Sequence, residues 1–221
     1  MRAALTNASR AALNPQRLAR KAIKDARLIP DIMEGLKAEE ARIRYGCAKT
    51  IRIISELRPE LLYPQFDFFV RLLSHENKIY QWDAAFVLSQ LARADKEGRF
   101  DEVFDKYFLP IPGPAMITAA NVIHGGARIA QAKPHLADRI AVEVVKVARA
   151  RYRTAECRNV AIGHAIVALG SIIPLLRQPA RAVEFVRRQS RNPRPATRKK
   201  AERFLKSQRD GALGRARSKP A

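Results

Sequence analysis

Apolar residues recur along this chain at spacings of three and four, and no stretch sustains the alternating pattern of a half-buried strand. In QFDFFVRLL, for example, Phe66, Phe69, Val70 and Leu73 fall on one face of a helix. No hairpin dipeptide separates alternating runs, and Ala, Leu, Arg and Ile dominate, so the pattern predicts an all-α protein.

Superimposing five helical stretches reveals an internal repeat. Small residues Cys47, Ala84, Ala119, Ala161 and Ala201 share one column, and four positions later stand Ile51, Leu88, Ile123, Ala165 and Leu205. Residues at i and i+4 lie on the same helix face, so the two columns predict one helix–helix contact stripe used five times. The small residues are 37, 35, 42 and 40 positions apart. Before each stripe comes a shorter helical segment and a polar or Pro-containing turn: LIPDIMEGL, QFDFFVRLL, FDEVFDKYF, LADRIAVEVVKVARA and AVEFVRRQ. In the third pair LPIPGP interrupts the helical pattern, since Pro cannot continue the first helix and Pro114 can open the second.

Pairs of about 40 residues, with a turn followed by Ile-Arg or Cys-Arg and a small residue soon after, resemble HEAT repeats of the armadillo/HEAT class. The resemblance covers about residues 28–209; EEARIRYGCAKTIRIISEL, from Glu39 to Leu57, carries it best. The third pair departs furthest, because Met116 stands where Arg44, Arg158 and Arg198 stand elsewhere. The fold expectation is a right-handed α-solenoid of about five HEAT-like hairpins over residues 15–209, between a flexible N-terminal segment (1–14) and a disordered basic tail (210–221). The resemblance implies a non-catalytic scaffold that holds another macromolecule on a curved face.

Charge sharpens that expectation. The net charge is +21, with 29 Arg against 13 Lys, and it is unevenly spread. Residues 1–30 carry +6, residues 31–140 are neutral, residues 141–180 carry +4 and residues 181–221 carry +11. The basic stretch SRNPRPATRKKAERFLKSQR reads as the turn and docking helix of a fifth hairpin, a cationic cap to the array. Two cysteines, Cys47 and Cys157, without paired spacing, argue against a disulfide framework and fit a cytoplasmic location. The acid-poor, Arg-rich first 22 residues share the character of organellar transit peptides, a minority alternative. Residues 159–176 are uncharged but hold His164, Ser171, Pro174 and two glycines, and read as a buried helix with no membrane role.

Two sets of side chains are candidates for function. Arg44, Arg158 and Arg198 follow the turns and are expected to pair turn carboxylates such as Glu40 and Glu156 as scaffolding. Positions two, five and nine after the small column lie opposite the stripe, and several are basic there. Lys49, Arg52, Arg93, Arg128, Arg203 and Lys206 are the binding candidates of that face. An acidic protein surface is the leading partner, and the nucleic-acid backbone is the alternative for the basic C-terminal half. Of the 15 aromatics, 11 lie between Tyr63 and Phe108 in the neutral body, so base-stacking platforms are not where the charge is.

Catalytic patterns are sparse. Bacterial alkylpurine DNA glycosylases are also built from HEAT-like pairs and use tryptophans with a catalytic aspartate, and Trp82-Asp83 in YQWDAAFVLSQLA looks superficially similar. Trp82 is the sole tryptophan, however, and Asp83 abuts the Ala84 stripe, so core packing and a first-turn charge are the expected roles, and a glycosylase-like repair enzyme is the weaker alternative. His75, His124, His135 and His164 form neither HExxH nor a close sequence pair, and no Gly-rich phosphate loop is present. No cofactor, metal, catalytic residue or small-molecule substrate is expected.

Overall fold

The computed structural model describes residues 14–217, with side chains to residue 210. Among them the regular elements are α-helices joined by short 3-10 turns, with no strand. In chain order these are α1 (Pro15–Lys24), α2 (Ile29–Glu34), α3 (Ala41–Leu57), α4 (Phe66–Leu72), α5 (Lys78–Leu91) and α6 (Arg99–Phe108), followed by α7 (Met116–Ala132), α8 (Ala137–Val145), α9 (Ala155–Ile172), α10 (Ala180–Arg188) and α11 (Pro195–Arg217). The protein is all-α, and each of the five helix–turn–helix segments expected from the sequence is present as two helices.

Local chemistry sets the starts. The side chains of Asn14, Asn77 and Thr154 accept from the backbone N–H of Arg17, Ile79 and Cys157 at 3.0, 2.9 and 3.1 Å, capping α1, α5 and α9. Asp95 accepts from the N–H groups of Arg99 and Phe100 at 2.9 and 3.0 Å at the start of α6, and Tyr63 donates to it at 2.6 Å. Between α6 and α7 the chain needs glycine at position 113. Its φ is 122°, and a Cβ there would lie 2.8 Å from the carbonyl oxygen of Arg151. That approach lets Arg151 N–H reach the Pro112 carbonyl at 2.8 Å, while the Tyr152 hydroxyl donates to the Ile111 carbonyl at 2.5 Å.

The chain divides into two compact units, one ending at Val103 and the other beginning at Phe104, where the sequence predicts a single domain over 15–209. The division falls within α6, the first helix of the third pair, rather than between two hairpins. In the first unit α3 packs on α1, where Ala19 and Ala22 are fully buried, and on α5, which also holds α4. Cys47, Ile54, Ala84, Ala85, Val87, Leu88 and Leu91 are fully buried there, with Phe66 and Phe69 from α4. In the second unit α9 packs between α7 and α11, and α8 against α7, α9 and α10. Phe104, Tyr107 and Phe108 form a buried aromatic cluster, with ring centroids 4.6 Å apart for Phe104–Phe108 and 5.1 Å for Tyr107–Phe108.

The small column is the seam of both units: Cys47, Ala84, Ala119, Ala161 and Ala201 all have no exposed surface. In the apolar column Ile51, Leu88, Ile123 and Ala165 are buried, but Leu205 is only half-buried. Phe204 takes the inward place instead, packing toward Gly170, where a Cβ would lie 3.4 Å from its ring. By length and composition α9 is apolar enough to cross a bilayer. In the fold Ala161, Ile162, Ala165, Ile166, Ala168, Leu169 and Ile172 are buried within the second unit.

Hydrogen bonds between successive pairs join residues 31 to 44 positions apart, close to one repeat. Tyr80 donates to the Leu36 carbonyl at 3.0 Å, Arg99 to Asp67 at 2.6 Å and Arg139 to Asp105 at 2.7 Å. Arg177 and the Gln178 N–H reach Asp138 at 2.9 and 3.1 Å, and the Thr197 hydroxyl reaches the Asn159 carbonyl at 2.8 Å.

At the ends, Asn14 belongs to the cap of α1 rather than to the expected flexible segment. Helix α11 continues to Arg217, past residue 210, where the sequence reading starts its disordered tail; Gly211 and Gly214 lower helix propensity by about 1 kcal/mol each without ending it. Residues 1–13 and 218–221 of the expected end segments lie outside the described residues.

Candidate functional site

The six basic candidates divide between the units. In the first unit Lys49 is exposed on α3. Arg52, four residues from Glu56 on the same helix, turns to α5: its Nη1 lies 3.1 Å from Asp83 Oδ1, and its guanidinium stacks 3.9 Å from the centre of the Phe86 ring. Arg93 donates to the Ser55 and Glu56 carbonyls at 3.0 and 2.6 Å, placing its charge on the carbonyl end of α3. Arg52 and Arg93 are therefore committed within the unit, although Arg93 is still exposed.

The face opposite the stripe is not uniformly solvated. Phe86 and Ser89 are buried on α5, with the Ser89 hydroxyl turned back to the Phe86 carbonyl at 2.6 Å. Gly163 and Ile166 are buried on α9. A Cβ at Gly163 would lie 3.1 Å from Thr197 Oγ1, which shows how closely α11 covers that side. On α5 of the first unit Asp83 is a half-buried ion-pair partner of Arg52, and burial raises its carboxyl pKa above the usual range against the opposing pull of that guanidinium. Trp82, beside it, is half-buried.

The turn arginines have a common geometry that differs from the predicted carboxylate pairing. Arg44 Nη1 donates to the carbonyls of Ala38 and Glu39 at 2.7 and 3.0 Å. Arg198 Nη1 donates to those of Asn192 and Pro193 at 2.8 and 3.1 Å, the same six- and five-residue steps back. A fork of N–H donors one turn into the helix meets two turn carbonyls before it meets a side chain. Glu40 instead pairs with Arg42 at 3.3 Å and Glu156 with Arg194 at 2.8 Å, while Arg158 is exposed.

The second unit concentrates the charge. Residues 104–221 hold 24 Lys and Arg against 7 Asp and Glu, a net +17, whereas residues 1–103 hold 18 against 14. Arg128 is half-buried on α7, and Arg203 and Lys206 are exposed on α11. The aromatics of this unit offer no stacking platform: Phe104, Tyr107, Phe108, Phe185 and Phe204 are buried and Tyr152 is half-buried.

Two arrangements there lie outside the candidates that the sequence marks. His124 and His164, distant in sequence, meet with Nε2 and Nδ1 2.8 Å apart and their rings edge to face. Their separation of 40 positions is one repeat, the one signal in the sequence that places them side by side. Burial is the first cause lowering both pKa values, with Arg128 and Lys200 adding to it at His124 and with His124, Lys200 and Arg194 adding to it at His164. Among the described residues no three His, Cys, Asp or Glu side chains are grouped to hold a metal ion.

The other arrangement is a cleft of about 310 Å³ between α10 and the C-terminal end of α8. Lys146, Arg149, Arg181 and Arg188 line it with Glu184, over Val145, Ala148 and Phe185. It belongs to the first helices of the fourth and fifth pairs, so the pattern of the second helices does not point to it. In α10 the spacing of Arg181, Glu184 and Arg188 marks the face concerned. A cleft of similar size in the first unit, lined by Leu36, Phe68, Leu72 and Tyr80 with Lys37 and His75, lacks that charge.

No protein-family model matches the chain. No curated protein matches it either. Among solved structures the chain is similar to the crystal structure of an engineered protein, a Northeast Structural Genomics Consortium target, with a TM-score of 0.53 and 17% identity over 89% of each chain. At that identity the likeness extends to the all-α fold and no further.

Proposed function

We propose that the five hairpins build a right-handed, HEAT-like α-solenoid, and that the chain is a non-catalytic scaffold whose cationic second unit holds an acidic partner protein. The solenoid reading is supported by the buried small column, by the second helices packed neighbour to neighbour within each unit, and by hydrogen bonds reaching about one repeat along the chain. The single observation that carries the binding reading is the charge of the second unit. Its net +17 is accompanied by exposed cations such as Arg149, Arg181, Arg203 and Lys206 rather than by an equal number of carboxylates. A second reading, contact with a nucleic-acid backbone, draws on the same Arg-rich surface, because phosphate neutralisation needs no aromatic platform.

The test is a fluorescence-anisotropy titration of the full chain with a labelled Asp- and Glu-rich peptide and with a labelled DNA duplex, at low and at raised salt. The scaffold reading predicts peptide binding that weakens with salt and with Arg203→Glu/Lys206→Glu. Tighter duplex binding with a steeper salt dependence favours the second reading. Failure of both ligands to bind at low salt removes both.

A further inference from the structure

Resting on the scaffold reading, we infer that the cleft between α8 and α10 is a docking pocket for one apolar side chain of an acidic peptide segment. Its volume, about 310 Å³, is at the small end of the range for ligand pockets and suits one or two side chains. Its floor is apolar: Phe185 is buried, Val145 is half-buried and Ala148 adds a methyl.

The charges around that floor are not equivalent. Lys146 is held by Glu143 at 2.6 Å. Glu184 is held by Arg187 at 2.8 Å and by Arg188 at 3.1 Å, so its carboxylate is already engaged. Arg149 and Arg181 are exposed on opposite walls, and among the described residues neither side chain has an ion pair or hydrogen bond. Arg181 also lies in the first turn of α10, where the helix dipole adds to the positive potential.

The occupant follows from the combination. A phosphate or a duplex backbone has no use for a floor of Phe185, Val145 and Ala148. An uncharged apolar ligand has no use for two unengaged guanidiniums at the rim. A peptide with carboxylates on either side of a Leu or Phe satisfies both, with bidentate contacts from Arg149 and Arg181 and the apolar side chain between them.

The experiment titrates the full chain with a labelled short Glu-rich peptide carrying one central Leu and with the same peptide carrying Ser there. Ala148 is exposed, so Ala148→Trp fills the cleft without changing its charge, and circular dichroism melts check that the fold is kept. The Leu peptide is expected to bind at least about tenfold more tightly than the Ser peptide. Ala148→Trp should abolish that difference, and Arg149→Glu/Arg181→Glu should weaken both peptides. Equal affinity of the two peptides, or indifference to Ala148→Trp, overturns the pocket; if Arg203→Glu/Lys206→Glu still weakens binding, the scaffold reading survives it. A duplex that displaces the peptide, needs Arg149 and Arg181 and ignores Ala148→Trp overturns the inference in favour of a backbone ligand. Absence of peptide binding at low salt overturns the inference together with the reading beneath it.

Discussion

Gly35→Ala adds one methyl group at the turn of the first hairpin, where Cys47 of the small column comes closest to the backbone. Gly35 has φ −59° and ψ −19°, a right-handed helical conformation that Ala adopts freely, so the backbone itself would gain about 0.4–1 kcal/mol from the substitution. The new Cβ, however, would overlap Sγ of Cys47, while Cys47 Cβ lies at 3.4 Å, an ordinary contact. Cys47 has no exposed surface, and burial raises its thiol pKa to about 11, so the sulfur is a packed neutral group with nowhere to move. Overpacking of this kind costs about 1–3 kcal/mol, which outweighs the backbone gain and leaves a net loss of about 1–2 kcal/mol. Cys47→Ala alone should cost about 1 kcal/mol for the small void it leaves. Together the two substitutions exchange one buried atom for another, and the double variant should be more stable than the sum of the singles by about 2 kcal/mol. Urea unfolding followed by far-ultraviolet circular dichroism measures all three. Additive effects, or a Gly35→Ala variant as stable as the parent, would refute the claim that the small column sets how closely the turn approaches.

Two further outcomes follow from the ionisable groups. Because burial raises the Asp83 pKa despite Arg52, the ionised carboxylate is disfavoured in the fold, and Asp83→Asn should change stability at neutral pH by no more than about 1 kcal/mol. Arg52→Ala leaves that half-buried carboxylate unpaired and removes the stack on Phe86, and should cost about 1–3 kcal/mol in the same urea assay. Both His124 and His164 have pKa values below the ordinary histidine value, so the unfolded chain binds more protons in mildly acid solution. Their contribution is fully present above about pH 6.5 and is lost as the pH falls, with a slope of at most about 1.4 kcal/mol per pH unit for each. Urea midpoints across that range should fall less steeply in His124→Gln/His164→Gln, and an unchanged slope would show that the pair does not titrate with folding.

The hairpins were legible because their signal is local and repeated. A small residue followed four positions later by an apolar one marks the buried seam of a helix regardless of its neighbours, and all five small residues are buried. Leu205 departs from the column: in the fifth pair Phe204 reaches inward to Gly170 instead. The face opposite the seam was less legible, since its exposure depends on the adjoining helix. Close cover by α11 buries Gly163, and the Arg52 guanidinium lies over Phe86. Arg44 and Arg198 were recognised as structural, but whether a guanidinium meets a turn carbonyl or a carboxylate depends on backbone positions that no spacing supplies. The His124–His164 pair and the cleft under Arg149 and Arg181 each need the register of two helices.

The central claim, that the second unit carries the binding surface, is tested most directly by charge reversal confined to each unit, read as the affinity of the full chain for a labelled Asp- and Glu-rich peptide at low salt. Arg203→Glu/Lys206→Glu should weaken binding by about tenfold or more, while Lys49→Glu, also an exposed candidate but in the nearly balanced first unit, should change it by less than about twofold. Equal losses from both variants, or a loss confined to Lys49→Glu, would contradict it.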